Sequence, residues 1–512
     1  MESISIKNKG VDKIKKIIKI IIYTLVFCVT ICSVTVIGIN NKTNITQGSS
    51  SPEIEWIYTY DSIIDDKAFY VDQTMDGGYI FTGSTIVTPP GYTELLLVKT
   101  DGNGEESWRN NFPNYLTNLY GTVVHQTSDG GYIVVGSVGY TYLWDVQVTK
   151  ADSNGDFVWQ KSFGMIDELD HGIDVLQTSD GGYIVLGLTS SYGEGSADIW
   201  LIKLSADGTE LWNKTIGGDS LDEPKSFMKV DDGYVIVGET DAVDGMGDVW
   251  VVKTNEVGEV SWQKTFGNSN ITEGGVCVKT VSNGYIILGN LYDMNWTESF
   301  WLLRLDAQGT LAWDQQISVS GDVHGTSITT TTDGGYFITG IISDPISYIT
   351  DVYLLKLNYQ GITQWVKTID ISDGLWDDAY CGIQSRDGGY VAVGSTADIF
   401  NFSSETFLLK IKAEKGVVLE SVTAGFGVTA HLKNLGSSEE TGVNVQIKIT
   451  GGILNRINVS HMETISIPAG EEATVSCKPF FGLDSIDIAV TVNGITSYYT
   501  GKQLFILTRL ES

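Results

Sequence analysis

Cysteine, proline and basic residues are all scarce in this chain of 512 residues. Its five cysteines have neither the spacing of a disulfide framework nor that of a zinc site, so buried single thiols are the simplest interpretation. Eight prolines beside 58 glycines suit many short strands joined by tight turns. With 32 Lys and Arg against 63 Asp and Glu, the formal net charge is −31, and such a surface repels phosphate backbones. Nucleic acid is therefore not expected as a partner.

Catalytic signatures are also missing. The sequence contains no Ser nucleophile elbow, no phosphate-binding glycine loop and no metalloprotease helix. None of the five histidines shares a metal-ligand spacing with another, and only His171, in an acidic segment, stands out. We therefore expect a protein that is not an enzyme, without catalytic or cofactor-binding residues.

One long apolar run is present, at residues 20–39, and four lysines precede it: Lys13, Lys15, Lys16 and Lys19. Twenty helical residues span about 30 Å, the thickness of the hydrocarbon core of a membrane. The pattern predicts a basic cytoplasmic segment at 1–16, a transmembrane anchor or signal at 17–39 and a polar tether at 40–53. Because the lysines stay in the cytoplasm, the body is expected outside the cell membrane as a single-pass protein. A cleaved signal peptide, giving a secreted protein, is the alternative.

A tetrapeptide close to Asp-Gly-Gly-Tyr occurs seven times, with spacings of 51 to 54 residues. Its copies end at Tyr79, Tyr132, Tyr183, Tyr234, Tyr285, Tyr336 and Tyr390. A fixed period of this length indicates stacked units that share one core. In the third unit, strands are predicted at 172–178, 183–187, 198–203 and 211–216. Four antiparallel strands per unit predict an all-β, seven-bladed β-propeller over residues 54–413.

Six of the seven units also carry a Trp on the fourth strand, four residues after a Gly, which we expect to wedge one blade against the next. The last unit lacks this Trp, whereas Trp56 precedes the first tetrapeptide at the distance seen elsewhere. Residues 54–60 are therefore predicted to supply the missing strand and to close the ring. Residues 416–420, which have the Gly but no Trp, are the competing choice.

The Gly-x-x-x-Trp turn, clearest at residues 155–159, resembles the tryptophan-docking motif of quinoprotein-like propellers. The Asp-Gly-Gly-Tyr-Ile-x-x-Gly strand resembles the repeats of secreted and surface-anchored microbial propellers. The resemblance covers residues 54–413 and implies the fold. The adjacent Cys pair that flanks the quinone in many quinoprotein dehydrogenases is absent here, and eight blades are usual for them.

After residue 413 the repeats stop and short alternating strands follow. About a hundred residues of this pattern predict an immunoglobulin-like sandwich at 414–512. It resembles the adhesion-related Ig-like domains that are appended to surface proteins.

Two sets of side chains are candidates for binding. Acidic segments between units place carboxylates at one mouth of the expected channel, where oxygens suit Ca²⁺ or a cationic ligand. Alternatively, each carboxylate accepts backbone N–H groups of its own loop. The metal candidates are Asp66, Asp170, Asp222, Glu273 and Asp377. Variable loops between second and third strands carry aromatic rings that suit a sugar or a peptide. The ligand candidates are Tyr92, Tyr142, Tyr192, Trp296, Tyr348 and Phe402.

These observations predict a membrane-tethered cell-surface propeller that binds an extracellular glycan or protein without catalysis. One alternative is a quinoprotein-like or hydrolytic enzyme, which predicts convergent, unrepeated polar residues at the channel mouth. Another is a structural spacer in a surface layer. Fold alone does not decide between them.

Overall fold

The computed structural model describes residues 51–510 with short gaps, at 61–64, 87–91, 114–116, 141–142, 166, 241–246, 268–271, 293–296, 318–320, 345–346, 373–374, 399–402, 414–416, 426, 435–438, 452–456, 479–481, 493–494 and 506. Every helix or strand element within this part of the chain is a β-strand. Segments 1–16 and 17–39, and residues 40–50 of the predicted tether, lie outside it. Across the described residues there is no helix of the length and apolarity that a membrane span requires.

The first strand, β1 (Ile54–Tyr60), does not pair with the strands that follow it directly in the chain. Strands β2 to β25 form six four-stranded antiparallel sheets in chain order. Sheet 1 holds β2 (Asp65–Gln73), β3 (Tyr79–Ile86), β4 (Glu94–Thr100) and β5 (Glu106–Phe112); sheet 2 holds β6 (Asn118–Gln126), β7 (Tyr132–Tyr140), β8 (Leu143–Ala151) and β9 (Phe157–Phe163); sheet 3 holds β10 (Asp170–Gln177), β11 (Tyr183–Thr189), β12 (Asp198–Leu204) and β13 (Glu210–Ile216).

The second half of the repeats continues the same order. Sheet 4 holds β14 (Asp222–Val230), β15 (Gly233–Thr240), β16 (Asp248–Thr254) and β17 (Val260–Phe266); sheet 5 holds β18 (Thr272–Val281), β19 (Gly284–Tyr292), β20 (Glu298–Asp306) and β21 (Leu311–Ile317); sheet 6 holds β22 (Asp322–Thr330), β23 (Tyr336–Ser343), β24 (Thr350–Leu357) and β25 (Thr363–Ile369); sheet 7 holds β26 (Trp376–Gln384), β27 (Tyr390–Asp398) and β28 (Ser403–Ile411).

Sheet 7 is completed by the start of the body, because β1 pairs antiparallel with β28 and brings Trp56 opposite Lys410. The pairing continues beyond the strands, where the Lys412 N–H donates to the Glu53 carbonyl over 3.0 Å. Each first strand packs against the first strand of the next sheet, and β26 packs against β2. The described residues therefore form a β-propeller-like all-β repeat fold whose first strands surround a common centre.

The hairpin turns explain the tetrapeptide. In sheet 3, Gly181 has a φ of 82°, which an L side chain adopts only with strain. Gly182 is needed for a different reason: a Cβ there would lie 2.2 Å from the Leu204 carbonyl oxygen and 2.7 Å from Lys203 Nζ. Lys203 Nζ in turn bonds Asp180 at 3.0 Å and the Leu204 carbonyl at 3.1 Å. One buried ammonium therefore ties the turn to the end of the third strand.

This arrangement recurs in the other sheets. A Lys at the end of the third strand pairs with the turn Asp in sheets 1, 2, 4, 6 and 7, and the pairs are Lys99–Asp76, Lys150–Asp129, Lys253–Asp232, Lys356–Asp333 and Lys410–Asp387. In sheet 5, where the turn has no Asp, Arg304 donates to the Ser282 and Leu305 carbonyls instead. The basic residues are therefore structural.

Neighbouring sheets are joined where the Trp side chain of one sheet packs over a Gly of the next. Trp159 of sheet 2 covers Gly208 of sheet 3, where a Cβ would lie 2.9 Å from the indole ring. The same indole meets the ring of Tyr183 edge-on, with centroids 5.9 Å apart. Trp56 covers Gly104 in the same way, so sheet 7 docks on sheet 1. An aromatic side chain of this size buries roughly 150–250 Å², which makes these contacts the main apolar links at the outer edge.

The C-terminal residues form two further sheets with one shared hydrophobic core. The smaller sheet holds β29 (Val417–Gly425), β30 (Gly427–Asn434) and β33 (Glu472–Cys477), and the larger holds β31 (Glu440–Gly451), β32 (Ile457–Ile467), β34 (Gly482–Val492), β35 (Ile495–Phe505) and β36 (Leu507–Leu510). Alternate residues such as Val445, Ile447 and Ile449 are fully buried, as expected for strands with one face on a core.

Candidate functional site

The five acidic metal candidates occupy one repeated position. Each lies near the beginning of a first strand, in β2, β10, β14, β18 or β26, and each is almost completely buried. The expectation that they stand in loops around a channel mouth is therefore wrong. The physical reason is the alternation of strand side chains, which turns this position into the space between neighbouring sheets. The residues concerned are Asp66, Asp170, Asp222, Glu273 and Asp377.

Two of these carboxylates are saturated with donors from the loops beside them. Asp170 accepts from the Met165 N–H at 3.3 Å and from the Thr189 and Ser191 hydroxyls at 2.5 Å. Asp377 accepts from the Ile371 N–H at 2.6 Å. Their first role is to fix the connection that enters each sheet.

Acidic side chains also meet between sheets. Asp377 of sheet 7 lies beside Asp351 of sheet 6 and Asp370, with the nearest carboxylate oxygens all within 4.8 Å of one another. Burial and the neighbouring carboxylates raise the pKa of Asp351. A similar pair joins sheets 3 and 4, where Asp198 approaches Asp222 across Gly217. Such groups of oxygens have the chemistry that hard cations prefer.

Among the described residues, no ring contact joins one aromatic ligand candidate to another. Tyr192 lies against Trp200 with ring centroids 5.0 Å apart and packs on the core, so it serves the fold. Tyr92 meets Tyr140 at 6.3 Å, whereas Tyr348 is 65% exposed at a φ of 56°. Tyr142, Trp296 and Phe402 lie outside the described residues.

A second repeated position is next to the buried acids and carries six different residue types in the seven sheets, with His in two of them. Its members lie between two buried positions of the first strand and are partly exposed themselves. Strand alternation turns them toward the centre that the first strands surround. We call this set the mouth ring: Lys67, Tyr120, His171, Glu223, Gly274, His324 and Asp378.

Aromatic contacts confirm that these strands converge. The ring of Phe69 in sheet 1 meets Tyr120 of sheet 2 at 6.4 Å and Tyr380 of sheet 7 at 5.5 Å between centroids. Tyr120 also packs edge-on against Trp144 at 5.2 Å, and Trp144 stacks on His171 at 6.0 Å. One side of the mouth ring is therefore an aromatic surface.

His171 is held as a neutral imidazole. Its Nδ1 lies 3.2 Å from the Tyr120 hydroxyl and 3.0 Å from Ser137 Oγ. Burial lowers the pKa of His171 to about 4, with Lys225 adding to the effect and Glu223 opposing it. At neutral pH the ring can therefore donate or accept a hydrogen bond without carrying charge.

The remaining members supply charge of both signs. Lys225 Nζ pairs with Glu223 Oε1 at 2.6 Å. Asp378 accepts from Thr350 Oγ1 at 2.8 Å, and burial raises the pKa of its carboxyl although these bonds and Lys67 oppose the shift. His324 contacts Glu298 and lies 3.2 Å from the Asn290 amide.

The Ser137–His171 pair has the spacing of a nucleophile and its base. Ser137 is fully buried, however, and its Oγ accepts the Gly172 N–H at 3.2 Å. A substrate cannot reach that oxygen, so the hydroxyl orients the imidazole. The geometry is that of a binding surface with fixed donors and acceptors beside aromatic rings.

Of the mouth ring, sequence reasoning singled out His171 and counted Glu223 and Asp378 among the acids of the connecting segments, but it did not identify the ring position. The signal was present, because every member lies eleven or twelve residues before the Tyr of its tetrapeptide. When the seven units are aligned on that Tyr, the residues on either side of the ring position are similar in all units, whereas the residue at the position varies. A position that varies between conserved-looking neighbours is not required by the repeated sheet structure and serves another purpose.

No protein-family model and no curated protein matches the chain. Solved structures similar to it include the β-propeller domain of the Trilobed protease from Pyrococcus furiosus, with 9% identity over 70% of this chain and 96% of that chain and a TM-score of 0.39. Sqt1 from Chaetomium thermophilum has 11% identity over 71% and 100%, with a TM-score of 0.38. Puromycin hydrolase has 12% identity over 69% and 62%, with a TM-score of 0.35. Similarities this low carry no argument about function.

Proposed function

We propose that the seven sheets are the seven blades of one closed propeller, followed by an Ig-like module and displayed outside the cell membrane on an anchor at 17–39. The propeller binds an extracellular glycan at the mouth ring and does not transform it. Support comes from the cyclic packing of first strands and from the apolar run that precedes the body.

The mouth ring is the observation that carries this proposal. The residues on either side of it repeat because they build the sheet, whereas the ring itself combines an ammonium, imidazoles, carboxylates and a phenol. Sugars present hydroxyl groups at their edges and C–H groups on their faces. Fixed polar groups suit the hydroxyls, and the Tyr120–Trp144 surface suits an apolar face.

A glycan array probed with the labelled full-length chain in detergent tests the proposal. We expect selective binding to a small group of glycans, and Trp144→Ala should weaken it at least about tenfold, because a stacked aromatic is worth more than about 1 kcal/mol. Phe157→Ala is the matched control, since Phe157 is an exposed aromatic on an outer strand. Absence of binding to any glycan, or equal loss with both variants, would contradict the proposal.

A hydrolytic or quinoprotein-like enzyme at the same mouth is the second candidate. Convergent, unrepeated polar residues favour it, and His171, which Ser137 orients at 3.0 Å, is its candidate base. Turnover of a bound glycan that is lost in His171→Gln would establish it. A surface-layer spacer instead predicts self-association and no ligand.

A further inference from the structure

At the junction between sheets 3 and 4, two buried acids face each other without a basic partner. Asp198 begins β12 and is 1% exposed, and Asp222 begins β14 and is 3% exposed. Within the described part of the chain, neither carboxylate forms a salt bridge. Asp222 Oδ2 accepts the Gly218 N–H at 2.8 Å and Asp198 Oδ2 accepts the Glu194 N–H at 2.8 Å. Asp198 Oδ1, although buried, has no hydrogen-bond partner.

Asp198 Oδ1 faces the Asp222 carboxylate across Gly217. A Cβ on Gly217 would lie 1.9 Å from Asp198 Oδ1 and 2.9 Å from Asp222 Oδ2. On the other side, a Cβ on Gly193 would lie 1.7 Å from Asp198 Oδ2. Both glycines are thus required by the approach of the carboxylate. The two facing oxygens are close enough for one ion with ligand distances of about 2.3–2.6 Å to contact both.

The fold does not itself require this pair. Acids also face each other between sheets 2 and 3, at Asp145 and Asp170, and between sheets 6 and 7. At the equivalent junction of sheets 5 and 6, however, the two positions are Ser299 and Val323. Repulsion between two buried carboxylates therefore lowers the stability of the fold at a place where uncharged residues also suffice. A bound cation removes this loss of stability.

We propose that Asp198 and Asp222 bind a calcium ion between sheets 3 and 4, with water and backbone carbonyl groups completing its oxygen ligands. Ca²⁺ fits better than Mg²⁺, because it accepts irregular sets of six to eight oxygens whereas Mg²⁺ needs a near-octahedral one. The ion would link the loop that contains Gly193 to the connection that contains Gly217. This site is separate from the mouth ring and does not depend on the proposed glycan.

Calorimetric titration of the chelator-treated full-length chain with CaCl₂ tests the site. We expect binding with a Kd of about 10⁻⁴–10⁻³ M, typical of extracellular modules. Asp198→Asn should remove one ion per chain or weaken its binding at least tenfold, and MgCl₂ should bind more weakly. Glu210→Gln, which removes an exposed acid from the same sheet, should bind like the wild type. No binding by the wild type at about 10 mM CaCl₂, or unchanged binding by Asp198→Asn, would overturn the proposal.

Hydrogen exchange supplies a readout that needs no variant. Calcium should slow amide exchange at residues 193–197 and 217–219 of the wild-type chain and leave the turn at 180–182 unchanged. Equal exchange with and without calcium at both junction segments would also overturn the site. If the acids share a proton instead, Asp198→Asn raises the melting temperature at pH 7.5 without any calcium effect, which contradicts the proposal.

Discussion

Buried basic side chains hold the hairpins of the repeat. Lys356 is fully buried, and its Nζ lies 2.8 Å from Asp333, 3.0 Å from the Leu357 carbonyl and 2.7 Å from the Gln364 amide oxygen. Asp333 is itself nearly buried, unlike most of its counterparts. A buried charge of this kind is tolerated because every donor has an acceptor.

Lys356→Met should therefore destabilise the protein strongly. It leaves Asp333 buried without its counter-charge, which costs about 3–5 kcal/mol in the free energy of unfolding. Lys412→Met is the control, because Lys412 and its partner Glu53 are exposed, and it should leave stability nearly unchanged. Denaturant unfolding measures both. A loss of less than 1 kcal/mol for Lys356→Met would contradict a structural role for the ion pair.

His125 gives the protein a pH-dependent stability. Its Nδ1 lies 3.1 Å from Asp72 and its Nε2 lies 3.9 Å from Asp174. Burial disfavours the charged ring, but both carboxylates outweigh it and raise the pKa of His125 from 6.5 to about 9. Because the folded pKa is the higher one, this stabilisation is complete below pH 6.5 and is lost as the pH rises through 9.

Between pH 6.5 and 9 the free energy of unfolding should thus fall by about 2 kcal/mol more in the wild type than in His125→Gln. The variant is the necessary comparison, because other groups also titrate. Unfolding by denaturant at several pH values measures the difference. Parallel pH profiles for the two proteins would show that His125 is not held in its charged form.

Strand and hairpin elements were largely predictable from the sequence. In sheet 3 the predicted strands agree with β10, β11, β12 and β13 to within two residues at each end. Alternating residues and glycine turns are local signals, so one unit suffices to read them. The two glycines of the turn, in contrast, looked equivalent, although only the first needs a positive φ. The second needs space for a lysine that arrives some twenty residues later in the chain.

This difference can be measured in one turn. Gly181→Ala places a Cβ in open space at a φ of 82° and should cost about 1 kcal/mol. Gly182→Ala brings the Cβ within 2.2 Å of the Leu204 carbonyl oxygen and should cost about 2–4 kcal/mol, because backbone must move. Thermal and denaturant unfolding of both variants give the order. Equal losses would mean that Gly182 is not packed as described.

The acidic positions show where local reading fails. Asp66 and Asp377 follow loop-like segments, and a pattern of acids beside glycines indicates exposed loops. Both are buried, because the extra length of the first strand carries them between sheets. Aligning the units on their Tyr marks the next residue as a variable position, and the pairing register then shows that it turns to the centre. The sequence therefore holds the position of the mouth ring, whereas its direction comes from the assembled sheets.

Closure depends on a short strand at the start of the body. Trp56 contacts Gly104 and meets Tyr79 at 6.2 Å, and the Tyr60 hydroxyl donates to the Gly104 carbonyl at 2.6 Å. β1 therefore joins sheet 7 by hydrogen bonds and sheet 1 by aromatic packing. Its pairing also covers the edge that β28 would otherwise present to other chains.

Trp56→Ala should lower the free energy of unfolding by about 2–4 kcal/mol, somewhat less than for a fully buried Trp. It should also increase aggregation, since a released β1 exposes the edge of β28. Denaturant unfolding and light scattering measure the two effects, with Phe157→Ala as the control for an exposed aromatic. A variant that is as stable and as soluble as the control would contradict the role given to Trp56.

Hydrogen exchange of the β1 amides tests the closed ring directly. If β1 is the outer strand of sheet 7, peptides covering 54–60 are as strongly protected as those covering 106–112, the outer strand of sheet 1, and Trp56→Ala removes protection from 54–60 first. If instead 54–60 exchange as fast as an unpaired tether while 403–411 remain protected, the ring is open and a mouth formed by all seven first strands does not exist.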